Sequence, residues 1–170
     1  MLIKRYFSEG YFGFIYENRL KEAIHTFKFK GRPEVGRYLV SLIAHNISIL
    51  ANKIDLIVPM PITEKRLKER GFNQSYIISW EISKIIHKPV ADEALIKAKE
   101  TNDQYLLSKE ERKKNIRGAF AIKKPEIVNG RRILLVDDLY TTGSTASEAS
   151  YVLNKAKPTS VIFFGLARTP

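Results

Sequence analysis

ILLVDDLYTTGSTASEA, residues 133 to 149, joins a short apolar run to two adjacent aspartates, then to a turn of Thr, Gly and Ser, and then to a helical pattern. An apolar run of this length, closed by turn residues, is the pattern of a strand buried on both faces, and Arg132 to Val136 is the strand expected here. Ala146, Ala149, Val152 and Leu153 lie at helical spacing, so a helix is expected over 144 to 156. In an open α/β sheet ligands bind beyond the carboxyl ends of the strands. The residues after Val136 therefore stand where a site belongs.

The same alternation extends in both directions. IDLIV, residues 54 to 58, is a second apolar run that ends at Pro59-Met60-Pro61, where proline forbids further ladder pairing inside a sheet. A basic loop, TEKRLKERGFNQS, and a helix from Ser75 to Ile86 follow, with Trp80 of that helix expected in the core. Val161 to Leu166 is the last strand and Ala119 to Ile122 a shorter one. Towards the N-terminus, Leu20, Ala23, Ile24 and Phe27 mark one helix closed by Gly31 and Pro33. A second amphipathic helix is expected from Val35 to Leu50. Residues 3 to 16, rich in aromatics around Glu9-Gly10, suggest a hairpin or an irregular strand pair. Ser108-Lys109-Glu110-Glu111 has capping-box spacing for a short helix to Asn115. Alternating strands and helices predict an α/β fold, a mostly parallel central sheet flanked by helices.

Composition limits the chemistry. The 170 residues, 44% hydrophobic and 28% charged, suit one domain with an ordinary core. There is no cysteine, so neither a disulfide nor a thiolate zinc site can form, and His25, His45 and His87 share no metal-ligand spacing. No signal peptide is evident, and no run approaches the roughly 18 apolar residues of a membrane span, so a cytoplasmic location is the expectation. The net charge of +11 favours a polyanionic partner. From Lys97 to Arg132 there are eleven basic against five acidic residues, which is either a solvated basic face or a polyanion-facing segment.

The turn after the aspartates has the makings of a phosphate cradle. Thr141, Thr142, Gly143, Ser144 and Thr145 stand at a helix entrance, where backbone N–H groups lack intrahelical acceptors and the helix dipole attracts anions. Gly143 lets the backbone approach a ligand without a Cβ in the way. Two carboxylates facing the phosphate itself would repel it, so Asp137 and Asp138 must be turned to hydroxyl donors or to a cation; a vicinal diol or Mg²⁺ satisfies this. Taken singly, the pieces also fit a helix N-cap with a spare surface acid and an ordinary capped turn. No Walker-type loop and no G-x-G-x-x-G occurs.

ILLVDDLYTTGST resembles the phosphoribosyl pyrophosphate (PRPP) signature of type I phosphoribosyltransferases. The resemblance implies that Asp137 and Asp138 hold the ribose 2′- and 3′-hydroxyls and that residues 141 to 145 wrap the 5′-phosphate. VPMPITEKRLKERGFNQS, residues 58 to 75, resembles the V-P-x-P, R-x-x-x-R-G-F-N-Q block of the ComF family, phosphoribosyltransferase-like proteins associated with competence and uptake of DNA. Gln104, Leu107, Arg112, Asn115, Gly118 and Phe120 follow that family's Q-x-x-L, R-x-x-N-x-x-G-x-F pattern, and GLART at 165 to 169 is similar to its ending. The resemblance implies one phosphoribosyltransferase-like domain over 1 to 170, with 1 to 52 as a hood or helical segment and 53 to 170 as a PRPP-binding core. It places pyrophosphate at Pro61, Arg66 and Arg70, with Lys97, Lys99 and Arg112 on a loop that closes over it. Mg²⁺ would be carried mainly by the ligand, with Asp137 and Asp138 as further donors.

Two features depart from the family pattern. Many members begin with a cysteine-rich zinc ribbon, whereas this sequence has no Cys: either the module is lacking or the sequence starts after it. KAKETND replaces a usually Arg-rich run, which keeps charge but loses bidentate forks. Arg66 and Arg70 also fit a solvated helix start, Arg112 and Asn115 a structural lock, and Phe72 and Tyr140 either base stacking or local packing. Two functions follow from the resemblance: Mg²⁺-dependent transfer of phosphoribose to a nitrogenous acceptor, or a non-catalytic factor that senses PRPP or handles single-stranded DNA together with other competence proteins.

Overall fold

The computed structural model describes residues 5–99 and 116–170. Its centre is a four-stranded sheet in the order β1-β6-β5-β2, parallel throughout. The strands are β1 (Glu9–Ile15), β2 (Leu56–Pro59), β5 (Arg132–Tyr140) and β6 (Ser160–Arg168). β3 (Leu95–Lys97) and β4 (Phe120–Ile122) form a separate antiparallel ribbon. The helices are α1 (Asn18–Phe29), α2 (Pro33–Leu42), α3 (Ala44–Ser48), α4 (Glu64–Arg70), α5 (Gln74–Ile86), α6 (Pro125–Val128) and α7 (Ser144–Asn154). The parallel sheet flanked by helices is the architecture expected from the sequence.

Both faces of the sheet are covered, which is why β5 and β6 are almost continuously apolar. On one face Leu134, Val136, Ile162 and Phe164 pack against Ile24 and Phe27 of α1, Leu39 and Val40 of α2 and Ile78 and Ile82 of α5. On the other, Ile133, Leu135, Val161 and Phe163 meet Ala149, Val152 and Leu153 of α7 together with Leu95 and Phe120 of the ribbon. At the start of β5, Arg132 grips Asp55 with Nη2 to Oδ1 at 2.6 Å and Nε to Oδ2 at 3.0 Å, tying β5 to the residue that leads into β2. The guanidinium and the Arg132 backbone N–H hold the Asp55 carboxyl well below the usual range.

Several local expectations change. Residues 9–15 are one strand, not a hairpin, and lie parallel to β6 with Glu9 opposite Ile162. The aromatic content that suggested a hairpin serves packing instead, as Phe12 contacts Tyr140 and Phe163 at ring separations of 5.0 and 6.1 Å. The helix expected over 35 to 50 breaks at Ile43, whose backbone leaves the helical region (φ −115, ψ 16). The basic loop after Pro61 contains α4, capped by the Thr63 side chain and ended by Gly71 at φ 80, a left-handed conformation suited to glycine. Trp80 is 49% exposed rather than in the core, stacked beside Tyr76. The helix expected over 108 to 115 lies outside the described residues. Among the described residues no helix is long and apolar enough to cross a membrane.

Candidate functional site

β5 outruns its neighbour. β2 pairs with β5 only as far as Pro59 opposite Val136, while β5 continues beside β6 to Tyr140 opposite Arg168. The two aspartates thus lie inside the strand, which runs on to Tyr140, whereas the sequence reading ended it at Val136 and put them at the start of the loop. With β2 gone, one side of this overhang opens into a cleft of about 270 Å³. The cleft gathers Asp137, Asp138, Thr141 and Thr145 with Pro61, Arg66, Arg70 and Lys97, residues drawn from three separate stretches of chain.

The carboxylates are held before any ligand arrives. Asp137 Oδ1 accepts from the Ser75 hydroxyl at 3.1 Å and from the Asp138 backbone N–H at 2.9 Å. Asp138 Oδ2 lies 3.0 Å from Nζ of Lys28, with side-chain exposures of only 10% and 12%. Burial, and then the charge of Asp138, push the Asp137 carboxyl up to about 7, against the opposing pull of Lys28, the backbone N–H and Ser75. Basic residues outnumber acidic ones around the cleft: Lys28, Arg66, Arg70 and Lys97 against Asp137 and Asp138. An anionic ligand would enter a field of opposite sign to its own charge.

At the turn into α7, Gly143 has φ 78 and closes the approach to the helix. A Cβ there would come within 2.7 Å of Cζ of Tyr140 and nearer still to its hydroxyl. Tyr140 cannot give way, because its ring packs on Phe12 at 5.0 Å and Phe163 at 5.5 Å. Thr142 Oγ1 and Ser144 Oγ lie 3.0 Å apart, and Ser144 N donates to Thr142 Oγ1 at 3.4 Å. Thr141 and Thr145 line the cleft, whereas Ser144 lines a neighbouring hollow with Ser147 and Glu148. Thr142 and Gly143 shape the turn between them.

Opposite this turn, Met60 N still donates to Val136 O at 2.8 Å, and Asn73 Nδ2 donates to Met60 O at 3.0 Å while its Oδ1 caps α5 through Ser75 N. Asn73 therefore fixes the loop after β2 and the helix carrying Ser75 in one contact set. Arg70 donates through Nη1 to Gln74 Oε1 at 3.1 Å, with its guanidinium 5.2 Å from the centre of the Phe29 ring. Lys97, at the end of β3, reaches the cleft beside Phe120. Lys99 is exposed beyond β3 and does not line the cleft. Arg112 lies outside the described residues.

No family model matches the chain. It is 33% identical over 159 residues to the DNA utilization protein YhgH of Escherichia coli, an alignment covering 91% of this chain and 69% of that protein. The chain belongs to the ComF family. Competence protein F of Haemophilus influenzae is 32% identical, with 90% of this chain and 69% of that protein covered. Competence protein ComFC of Bacillus subtilis is 29% identical, with 92% and 62% covered. Among solved structures the chain is similar to the glutamine PRPP amidotransferase of B. subtilis, complexed with ADP and GMP, at 17% identity and a TM-score of 0.49, covering 82% of this chain and 30% of that one.

Lys28, Phe29, Gln74 and Ser75 also line the cleft, and sequence reasoning assigned them no role there. Lys28 lacked a signal altogether, since its partner Asp138 is distant in sequence and one lysine among many basic residues is not distinctive. Gln74 and Ser75 did carry one: they follow Asn73, an N-cap residue, at the start of a helix leaving the same loop. Phe72 and Tyr140 take the packing alternative, Phe72 against Phe27 at 5.7 Å and Tyr140 against Phe12 and Phe163.

Proposed function

We propose that the chain binds PRPP with Mg²⁺ in the cleft at the end of β5 and transfers its phosphoribosyl group to a nitrogenous acceptor. The observation that carries this reading is the meeting, in one cleft, of paired carboxylates, a hydroxyl-rich helix entrance and three cations from the far side. The ribose hydroxyls would donate to Asp137 and Asp138. The 5′-phosphate would sit against the turn of 141 to 145. Pyrophosphate would meet Pro61, Arg66, Arg70 and Lys97, with Lys99 and Arg112 on the segment beyond β3.

Transfer breaks the bond from ribose C1 to the pyrophosphate oxygen, which leaves with the electron pair, and forms a bond from C1 to the acceptor nitrogen. Positive charge grows on the ring and negative charge on the departing oxygens. Arg66 and Arg70 would stabilise the second and the nearby carboxylates the first, so no covalent nucleophile is required. The cleft fits a Mg²⁺ carried on the oxygens of the ligand itself, with the carboxylates holding the ribose hydroxyls rather than the ion, since Mg²⁺ is commonly bound through substrate phosphates and keeps several waters. Among the described residues no group of three or more His, Cys, Asp or Glu offers an all-protein site. Bound there, the ion would neutralise the leaving group.

The names of the relatives, DNA utilization and competence proteins, together with the +11 charge, support a role in DNA uptake and contact with single-stranded DNA and other competence proteins. The same features support the second reading, a factor that senses PRPP or binds single-stranded DNA without catalysis. Incubation with PRPP, Mg²⁺ and a panel of bases and amines, followed by mass spectrometry, separates them. A phosphoribosylated product establishes transfer. Calorimetric binding of PRPP without any product, and DNA affinity that falls steeply with salt, would favour the second reading.

A further inference from the structure

The acid pair already holds a cation, and that cation is part of the chain. Lys28 Nζ stands 3.0 Å from Asp138 Oδ2 with both side chains nine-tenths or nearly so out of water. Its mount is rigid. Phe27, the preceding residue, is fully buried, and its ring sits where a Cβ on Gly36 of α2 would lie 2.7 Å from Cε2. On the other side the Lys28 carbonyl accepts from Nε2 of Gln74, itself buried. The last turn of α1 thus projects its lysine into the cleft as a built feature.

Of the four carboxylate oxygens, Asp137 Oδ1 is taken by Ser75 and by the Asp138 N–H, and Asp138 Oδ2 faces Lys28. One oxygen of each residue, Asp137 Oδ2 and Asp138 Oδ1, accepts no hydrogen bond from the described residues. A pair of neutral hydroxyls needs just such a pair of acceptors. A divalent ion needs more: Mg²⁺ binds oxygen at about 2.0–2.1 Å, so an ion on Asp138 Oδ2 would lie within about 5 Å of the ammonium and one on Oδ1 of the same carboxylate within about 7 Å, and two cations that close repel beside side chains so little exposed.

We propose that Lys28 is the standing counter-cation of the Asp137–Asp138 pair, and that it keeps divalent metal off these carboxylates so that they bind hydroxyls. The proposal rests on the ribose reading of the pair and assigns the metal to the ligand side. It makes Lys28 a positioning and selectivity residue: it holds Asp138 in place and sets which partner the pair accepts.

The test uses the full chain without PRPP and Mn²⁺ alone as probe, with free Mn²⁺ followed by electron paramagnetic resonance. Wild type and Lys28→Arg should show no site on the pair. Lys28→Met should gain one Mn²⁺ site per chain, at least about tenfold tighter than any residual wild-type binding, and Lys28→Met with Asp138→Asn should lose it. Lys28→Gln carries the same expectation as Lys28→Met and serves if the apolar variant does not fold. Wild-type Mn²⁺ binding that disappears with Asp138→Asn would overturn the proposal. So would a folded charge-removing variant that gains no site. Calorimetry of the wild type with PRPP and Mg²⁺ runs alongside; its failure would remove the ribose reading while the Mn²⁺ result still decides whether Lys28 excludes metal.

Discussion

Asp137→Asn should make the ligand-free protein more stable at pH 8 while changing little near pH 4. The cause is the cost of ionising Asp137 in the cleft, where burial and Asp138 raise its carboxyl from the ordinary 3.8 to about 7. The folded state therefore binds a proton more tightly than the unfolded chain does. Its stability is fullest at low pH with respect to this group and declines as pH rises from about 4 to about 7, because ionisation favours the unfolded state. Roughly three units at about 1.4 kcal/mol each set a ceiling near 4 kcal/mol, and contact of the carboxyl edge with cleft water brings the expected effect to about 2 kcal/mol. Asparagine keeps the shape and the acceptor oxygen for Ser75 without the charge. Urea unfolding of both proteins at intervals from about pH 4 to 8, which covers the rise of the carboxyl from 3.8 to about 7, measures the effect, and their difference isolates Asp137 from every other titrating group. Parallel stability curves across that range would refute the buried-acid argument.

Gly143→Ala should destabilise by roughly 2–4 kcal/mol in chemical unfolding, combining left-handed backbone strain with overpacking against the wedged Tyr140. Asp55→Asn should lower stability near neutral pH by removing the bidentate partner of Arg132. Because the Asp55 carboxyl is depressed in the fold, its contribution is present above the ordinary aspartate range and lost as pH falls below it, so the variant should also flatten the acid limb of the stability curve. Trp80→Ala should cost only about 1–2 kcal/mol in urea unfolding, since half of the residue is already in water; a loss of about 3–5 kcal/mol, that of a core aromatic, would mean that it is buried against a partner in solution. Asp137→Asn combined with Asp138→Asn should abolish calorimetric binding of PRPP with Mg²⁺ while circular dichroism stays native, and unchanged affinity would remove the diol assignment.

What the sequence determined by itself is what short-range pattern can carry. The apolar runs of β2, β5 and β6 can only be strands covered on both faces, the apolar spacing of α1, α5 and α7 can only present one stripe to such a sheet, and DDLYTTGST places acids, hydroxyls and a glycine together by covalent proximity alone. Helix α4 was also within reach, in Thr63 and Gly71, but the density of charge between them resembled a loop. What only the tertiary structure decided is everything that depends on a partner far along the chain. β1 is a strand because β6 offers an edge, and the aspartates stay in β5 because β6 continues beside them after β2 has left. Lys28 meets Asp138 because α1 packs on the sheet face that Asp138 shares with Leu134 and Val136, and Ser75 meets Asp137 because α5 starts where β2 has left the side of β5 open. Hydrophobic periodicity records which face of an element is buried, and it carries no information about which other element will cover that face; the acid pair was therefore legible in the sequence, and the lysine that neutralises it was not.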